Sequence, residues 1–222
     1  MVSFNEVKGH DGSNVRKILE LALFAKPFSD DGLEEITQIW TESDGLLVPP
    51  DYEPIGHTTK GDTSWSREQN WVDTESHGYG EPIRRDNTQD IEGLSFVAQE
   101  TNRLVLELYR DADLSGITPD ADGNIVFKKA ARPAGRRWHV LAIGKDGDGP
   151  DALYIARWLP EAQVTEMAEQ AWTEETELNY SISMTAYTNN TVGTSMVELM
   201  GGPGLDHEAM GFPAPASGGS GE

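Results

Sequence analysis

The sequence predicts a mainly β domain with one or two helices packed on a sheet. In residues 177–186, apolar and polar side chains alternate strictly, as in a strand with one wet face. A single clear helix is predicted over 101–113, where apolar residues recur four positions apart and Thr101 can serve as N-cap. With 222 residues, 37% of them hydrophobic, the chain is long enough for one substantial core, and we found no internal repeat.

The first quarter of the chain is the least decided by pattern. Residues 15–28 fit both a helical face and a strand alternation, so both remain open. Asp31 stands three positions before Glu34, a capping-box spacing that predicts a short helix over 32–40. Prolines then mark 46–56 as a loop.

Most later segments alternate like strands. Residues 161–172 would pass for a helix by propensity, although the family resemblance described below makes much of this segment strand. The run GKDGDGPD looks like the tip of a hairpin. Strands are predicted over 64–77, 91–98, 124–131, 136–144, 151–160 and 177–186.

The two ends differ from the body in composition. Residues 1–13 are polar and predict an N-terminal arm, 14–200 form the folded domain, and 201–222 are a Gly/Pro/Ser-rich tail. The start lacks the order of a signal peptide, and the apolar stretch 19–25 is too short to span a bilayer. We therefore expect a soluble protein made in the cytoplasm, without a membrane anchor.

Charge and cysteine content exclude several classes of function. The formal net charge of −21 disfavours attraction of the whole chain to nucleic acid or anionic membranes. The absence of cysteine excludes disulfides, thiolate metal sites and cysteine nucleophiles.

No catalytic motif is present. Asp120, Asp122 and Asn124 resemble the start of a calcium loop, but the glycine and the position-twelve carboxylate do not fit, so a structural turn is expected. The five histidines show no paired ligand spacing, and neither a phosphate-binding loop nor a nucleophile elbow occurs. We predict neither a metal nor a cofactor, while a glycosidase carboxylate pair stays open.

The few basic residues are clustered. They occur at Arg84 and Arg85 and again in KKAARPAGRR, whereas residues 138–222 hold 13 acidic and 2 basic residues. Two interpretations stay open: a hairpin balanced by local acids, or a polarised subunit whose basic region meets the acidic region of a neighbour.

Two strings suggest a family. GYGEPIRRD (78–86) and GLSFVAQETNRLVLELY (93–109) resemble the major tail tube proteins of long, flexible-tailed bacteriophages, especially those of actinobacteria. The resemblance covers about residues 14–200, with the predicted strands and helix in the same order.

The resemblance implies a structural virion protein and not an enzyme. Its fold would be a β-sandwich or barrel-like domain with one or two flanking helices, which joins its neighbours in a shared β-barrel around a hexameric ring. Stacked rings would form a tube that conducts double-stranded DNA without specific binding. Partners would be further copies, a tape-measure protein, a tail terminator and distal tail proteins, in a virion tail assembled in the host cytoplasm.

Physical arguments point the same way. A water-filled barrel needs about 16 or more strands, so a chain with about ten must share its lumen with other copies. Sharing also removes exposed strand edges. A wall of negative charge lets DNA slide, because lysine or arginine contacts would hold the phosphates. By alternation, the candidate lumen-lining residues are Glu177, Asn179, Ser181, Ser183 and Thr185, followed by Glu68, Asp73 and Glu75.

For contacts within and between rings, we expect the N-terminal arm, the loop 49–65 and the basic residues to contribute. Two other functions remain as alternatives: a β-rich decoration or capsid-associated protein, and a carbohydrate-binding or glycoside-hydrolase domain suggested by six tryptophans. The candidate interface residues are Val2, Phe4, Arg84, Arg85, Lys128, Lys129, Arg136 and Arg137.

Overall fold

The computed structural model describes residues 4–129, 131–132 and 134–213, with the backbone alone for 5 and 6. Two α-helices and ten strands occur in this part of the chain. They are α1 (Phe4–Lys8), β1 (Glu20–Pro27), β2 (Trp40–Thr41), β3 (Gly45–Leu46), β4 (Glu53–Pro54), β5 (Ser64–Thr74), β6 (Arg84–Ala98), α2 (Arg103–Arg110), β7 (Arg137–Asp146), β8 (Leu153–Met167), β9 (Tyr180–Ala186) and β10 (Val197–Gly201).

One antiparallel sheet organises the molecule. Its strand order is β4-β1-β7-β8-β9-β6-β5, and β10 pairs with the first half of β8. The second half of β8 pairs with β9 instead, so one edge of this long strand pairs with two different strands. The mainly β architecture with flanking helices, expected from the sequence, is confirmed.

The segment 53–59 closes this sheet into a barrel. Its first part lies along β1, where the amide of Ile55 donates to the carbonyl of Leu23 at 2.8 Å. Its second part lies along the end of β6, where Thr58 bridges Ala98 and the amide of Thr59 donates to Val97. The two outer strands of the β1-β7-β8-β9-β6 order therefore share one connecting segment.

Side chains fill the barrel interior, as expected for a barrel of this size. Phe96, Trp138 and Ile182 come from three different strands, and each is at most 1% exposed. Helix α2 adds Leu104 and Leu108 to the same cluster. The helix begins at Asn102, whose side-chain oxygen accepts from the amide of Val105. Thr101, the predicted cap, instead bonds the hydroxyl of Tyr180.

A second cluster covers the outside of β1, β7 and β8. Trp158 and Leu141 point outward there and contact Ile36 and Ile39 from the preceding connection. The helix predicted over 32–40 is wrong, because this segment runs without helical bonds up to β2. Ile36 and Ile39, three residues apart, both contact the sheet from this irregular segment, and the backbone amide of Asp31 donates to the Ser29 hydroxyl at 3.2 Å.

The structure decides the segments that the sequence left ambiguous. Residues 15–28 contain strand β1, and β8 continues to Met167, so much of 161–172 is strand. The strand predicted over 124–131 is wrong for 124–129, which have no strand partner; Ala130 lies outside the described residues. Asp120 forms the expected turn by accepting from the amides of Asp122 and Asn124.

Candidate assembly surfaces

One face of the barrel has a polar surface. On β9, Tyr180, Ile182, Met184 and Ala186 are buried, and the residues between them are half-exposed. Strand pairing aligns these half-exposed positions with outward residues of β6, β5 and β8. We call this surface the polar wall; it comprises Ser64, Ser66, Glu68, Ser95, Gln163, Thr165, Ser181, Ser183 and Thr185.

Hydroxyl groups dominate the polar wall and bond one another across strands. The Ser95 and Ser183 hydroxyls lie 2.9 Å apart, and those of Thr165 and Thr185 lie 3.1 Å apart. Such pairs satisfy each other without a fixed charge. The polar wall residues thus present hydroxyl groups, and none of the nine residues is a lysine or an arginine.

The register places Glu68 on the polar wall. Glu68 pairs with Ile91, two positions along β6 from Gly93, which pairs with Thr185 of β9. The opposite face of the same hairpin carries the ion pairs. There Arg67 donates to Asp90 at 2.6 Å, and this hydrogen bond lowers the pKa of Asp90 to about 2.

The remaining predicted lumen residues lie at the margins. Glu177 and Asn179 precede β9, and the Glu177 carboxylate accepts from Gln99 at 2.7 Å. A bond to its own backbone amide, and then this bond to Gln99, lowers the pKa of Glu177. Asp73 lies beyond the bulge of β5 and pairs with Arg85 at 3.5 Å, whereas Glu75 follows the end of β5. Their lumen role stays a prediction.

A long hairpin extends from the barrel. Only residues 93–98 of β6 pair with β9, so the rest of β6 pairs with β5 alone and leaves its other edge free. We call residues 68–91 the hairpin arm. Four large apolar side chains of the arm are exposed: Trp71 (45%), Val72 (49%), Tyr79 (72%) and Ile83 (58%). The sequence predicts a strand with one wet face over 64–77, which includes Trp71 and Val72, but no local pattern predicts the exposure of both faces.

Arg84 and Arg85, two predicted interface residues, lie in this arm. Arg84 donates to Asp86 at 2.7 Å. Arg85 lies over the ring of Trp71, with its guanidinium carbon 5.3 Å from the ring centroid. Both side chains stay largely exposed and are available to a neighbour.

The second basic group divides into two kinds of residue. Lys128 and Lys129 are exposed and lie in a connection without regular structure. Arg136 is largely buried and donates to the carbonyl of Ala112, which ties β7 to the end of α2. Arg137 forms an ion pair with the buried carboxylate of Glu161. The interface role of all four residues stays a prediction.

The other predicted contact regions are mostly at the surface. Phe4 is 75% exposed on the short helix α1, and Val2 lies outside the described residues. Within the loop 49–65, Tyr52 accepts a hydrogen bond from the Trp158 indole, and burial raises the pKa of Tyr52. In the described part of the tail, the carbonyl of Ala209 accepts from Asn14.

The described residues include neither a metal-binding cluster nor a membrane-spanning helix. No group of three or more His, Asp or Glu residues there is placed to hold a metal ion. None of the helices in the described ranges is long and apolar enough to cross a bilayer. Of the six tryptophans, Trp138 and Trp158 are at most 1% exposed and belong to the core, whereas Trp172 is 82% exposed.

Comparisons with known proteins leave the family undecided. No family model and no curated protein matches this chain. Several solved structures are similar to it, among them three with TM-scores that are all low. A cryo-EM structure of the anti-feeding prophage baseplate, 6-fold symmetrised, has a TM-score of 0.41 and 12% identity, covering 83% of this chain and 94% of that chain.

The other two structures are the tail of an empty GTA particle, refined with C6 symmetry, and a crystal structure of Hcp protein. The GTA tail has a TM-score of 0.30 and 13% identity, covering 63% of this chain and 84% of that chain. Hcp has a TM-score of 0.33 and 12% identity, covering 82% of this chain and 98% of that chain. At these TM-scores, none of the three decides the function.

Proposed function

We propose that this protein is a structural subunit of a phage tail tube, the major tail tube protein of a long, flexible-tailed phage of the actinobacteriophage kind. Six copies form a ring, and stacked rings form a hollow tube in the virion tail. Double-stranded DNA passes through this tube, and no copy performs catalysis. The tape-measure, terminator and distal tail proteins are the further partners, and assembly takes place in the host cytoplasm.

The polar wall is the observation that carries this proposal. It is a sheet face made mainly of hydroxyls, with the Gln163 amide and the Glu68 carboxylate, and Glu166 of β8 pairs with Ser183 beside them. None of its residues belongs to the apolar cluster that covers β1, β7 and β8. Arg137, which the pairing places beside Gln163, is neutralised by Glu161. A wall of this kind lets a polyanion slide, because each lysine or arginine contact would hold it by counterion release.

The hairpin arm supports assembly by the same chain. A two-stranded ribbon with two exposed faces and a free edge is marginal in water and presents unpaired backbone groups to any neighbour. Exposed Trp71, Val72 and Tyr79 add apolar area to that edge. Association with further copies would bury both.

The test is the shape of the assembled protein. The purified chain, concentrated and viewed by negative-stain electron microscopy, should form hollow tubes of uniform diameter. Discrete globular oligomers would favour the decoration protein, and a lone monomer that hydrolyses or binds glycans would favour the carbohydrate-active domain. In a gel-shift assay near physiological salt, the tubes should not retain duplex DNA.

A matched variant removes the arm and leaves the barrel. Gln69 and Asp90 are directly paired, so replacing residues 70–89 by Asn-Gly closes the shortened hairpin with a two-residue turn. This variant should unfold cooperatively in urea, like the parent, but remain monomeric. Tubes formed by the shortened chain would contradict the role of the arm.

A further inference from the structure

A continuous groove crosses the part of the barrel that is not covered by α2. Three cavities of about 400, 290 and 220 Å³ adjoin one another there. Ile18 and Leu21 line both the first and the second, and Arg16 and Ile155 line both the second and the third. We call this surface the end groove.

The second cavity has a mainly apolar floor that depends on one glycine, whereas the first cavity is lined largely by polar residues of 57–63. Ile18 packs on Gly144 of β7 so closely that a Cβ at Gly144 would lie 2.7 Å from the Ile18 Cδ1 atom. Ile18 is still 51% exposed, and Leu19 beside it is 63% exposed. These two side chains are therefore accessible to a second molecule.

The rim of the end groove is positively charged. Arg16 and Lys60 line it, and neither forms an ion pair within the described ranges. The acidic lining residues are neutralised, because Glu198 pairs with Arg157 at 3.1 Å and Glu20 with Lys145 at 3.2 Å.

The tip of the hairpin arm, residues 75–83, has the opposite character. It exposes Tyr79 and Ile83 as apolar groups and carries Glu75 and Glu81, which form no ion pair within the described part of the chain. The neighbouring cations are already used, since Arg84 pairs with Asp86 and Arg85 with Asp73. Tip and groove thus match in both apolar area and charge.

The tip cannot reach the groove of its own chain. Trp65, at the base of β5, lines the end groove, and the tip begins after Thr74. At about 3.4 Å per residue, this strand carries the tip on the order of 30 Å away from Trp65. The occupant must therefore be another copy.

We propose that the arm tip of one copy docks in the end groove of the next. Tyr79 and Ile83 cover Ile18 and Leu19, and the tip carboxylates face Arg16 and Lys60. Because tip and groove are different surfaces, this contact is heterologous and propagates from copy to copy. This docking rests on the proposed function, in which copies of the chain assemble, and it assigns the end groove as the surface that a neighbouring subunit occupies.

Cross-linking tests the contact directly, because the chain has no cysteine. Tyr79→Cys and Leu19→Cys proteins are mixed and treated with a short bis-maleimide. We expect covalent dimers in the mixture and few in either variant alone. The control pairs Tyr79→Cys with Asp122→Cys in an exposed turn. Equal dimer yields in the two mixtures would overturn the proposal.

A charge exchange separates this inference from the proposed function. Arg16→Glu and Glu81→Arg should each raise the concentration needed for assembly by about tenfold. The double variant should assemble at a concentration close to that of the parent. Arg110→Glu, an exposed arginine on α2, is the control. If the parent forms tubes and Arg16→Glu forms them equally well, the docking is wrong and the tube stands. If the parent forms no tube, the proposed function fails whatever the cross-linking result.

Discussion

Arg157 lies over the indole ring of Trp65, with its guanidinium carbon 5.0 Å from the ring centroid. The two residues belong to β8 and β5, and two other strands lie between these in the sheet order. The contact therefore spans the barrel and does not follow a strand pair. It links the base of the hairpin arm to β8, the strand that also pairs with β9 and β10.

We predict that this contact stabilises the folded protein. Arg157→Met keeps most of the apolar stem and removes the charge, so it should lower the free energy of unfolding by about 1 kcal/mol. In a Trp65→Leu background, the same change should cost much less, since the ring is gone. Urea denaturation of the four proteins measures the coupling. Strictly additive losses would contradict it.

His139 should make the fold acid-sensitive. It is fully buried, and its Nε2 accepts from the amide of Ser29 at 3.0 Å. Burial lowers the pKa of His139, and the Ser29 carbonyl oxygen, 3.1 Å from Nε2, partly opposes this; Lys26 lowers the pKa further, and Asp30 raises it. The unfolded chain therefore binds a proton first, near pH 6.5. Stability should fall as the pH drops below about 6.5, and the urea midpoint should fall with it.

His139→Gln tests this assignment. The variant should lose about 1–3 kcal/mol near pH 7.5, because a buried hydrogen-bonding group is replaced. Its midpoint should then vary less than that of the parent between pH 7 and 5. His57→Gln, at an exposed position, should keep the slope of the parent. An unchanged slope in His139→Gln would assign the acid sensitivity to another group.

Glu107 is a buried carboxylate whose partners hold the end of α2. It is 1% exposed, accepts from Arg103 at 2.8 Å and from the amide of Leu114 at 3.0 Å, and lies 4.0 Å from Arg136. Glu107→Ala should destabilise the fold by about 1–3 kcal/mol, because it leaves the buried amide of Leu114 without an acceptor. Glu107→Gln keeps an acceptor oxygen and should cost clearly less in thermal unfolding. Equal losses would mean that volume alone matters.

The lumen assignment predicts a dependence on reagent size. Glu68 and Gln69 are adjacent exposed residues on opposite faces of β5. In assembled tubes, Glu68→Cys should react with a small maleimide and resist one carrying a long polymer, which cannot enter the bore. Gln69→Cys should show no such dependence on size, and neither variant should show it as a monomer. Rapid labelling of Glu68→Cys in tubes by the large reagent would place the polar wall on the outer surface of the tube and contradict the lumen assignment.

Reversing the arm charges should affect assembly more than folding. Arg84→Glu combined with Arg85→Glu should give a protein that unfolds at nearly the parent urea concentration, because its exposed ion pairs are weak. It should polymerise poorly in electron micrographs. Arg110→Glu, at an exposed position on α2 outside the arm, is the control. Unchanged tube formation by the double variant would contradict a role for these arginines in assembly.

Local pattern predicted the elements that are buried on one face. The alternation through Tyr180, Ile182 and Met184 matches the observed burial of β9 residue for residue, and the four-residue spacing of Leu104 and Leu108 predicted α2. Both elements contact the core along one face, so their periodicity and their environment agree.

Pattern failed where distant contacts decide the conformation. Ile36 and Ile39 have the spacing of a helix, yet they lie on an irregular segment because the outer face of β7 and β8 offers two separate contacts. The apolar run Ile125, Val126 and Phe127 is typical of a strand, but no strand pairs with it within the described residues. Asn102, and not Thr101, caps the helix, and the Thr101 hydroxyl is hydrogen-bonded to the Tyr180 hydroxyl instead.

By itself, the sequence determined the mainly β class, the helix α2 and a polar face on β9, because these follow from hydrophobic periodicity within a few residues. It also determined the strong negative charge and the absence of thiol chemistry. Only the tertiary structure decided that 53–59 closes the barrel, that Glu68 shares a face with Ser183, and that the arm extends free of the body. Those features depend on strand order and register, which join residues far apart in the chain and leave no local periodic signal.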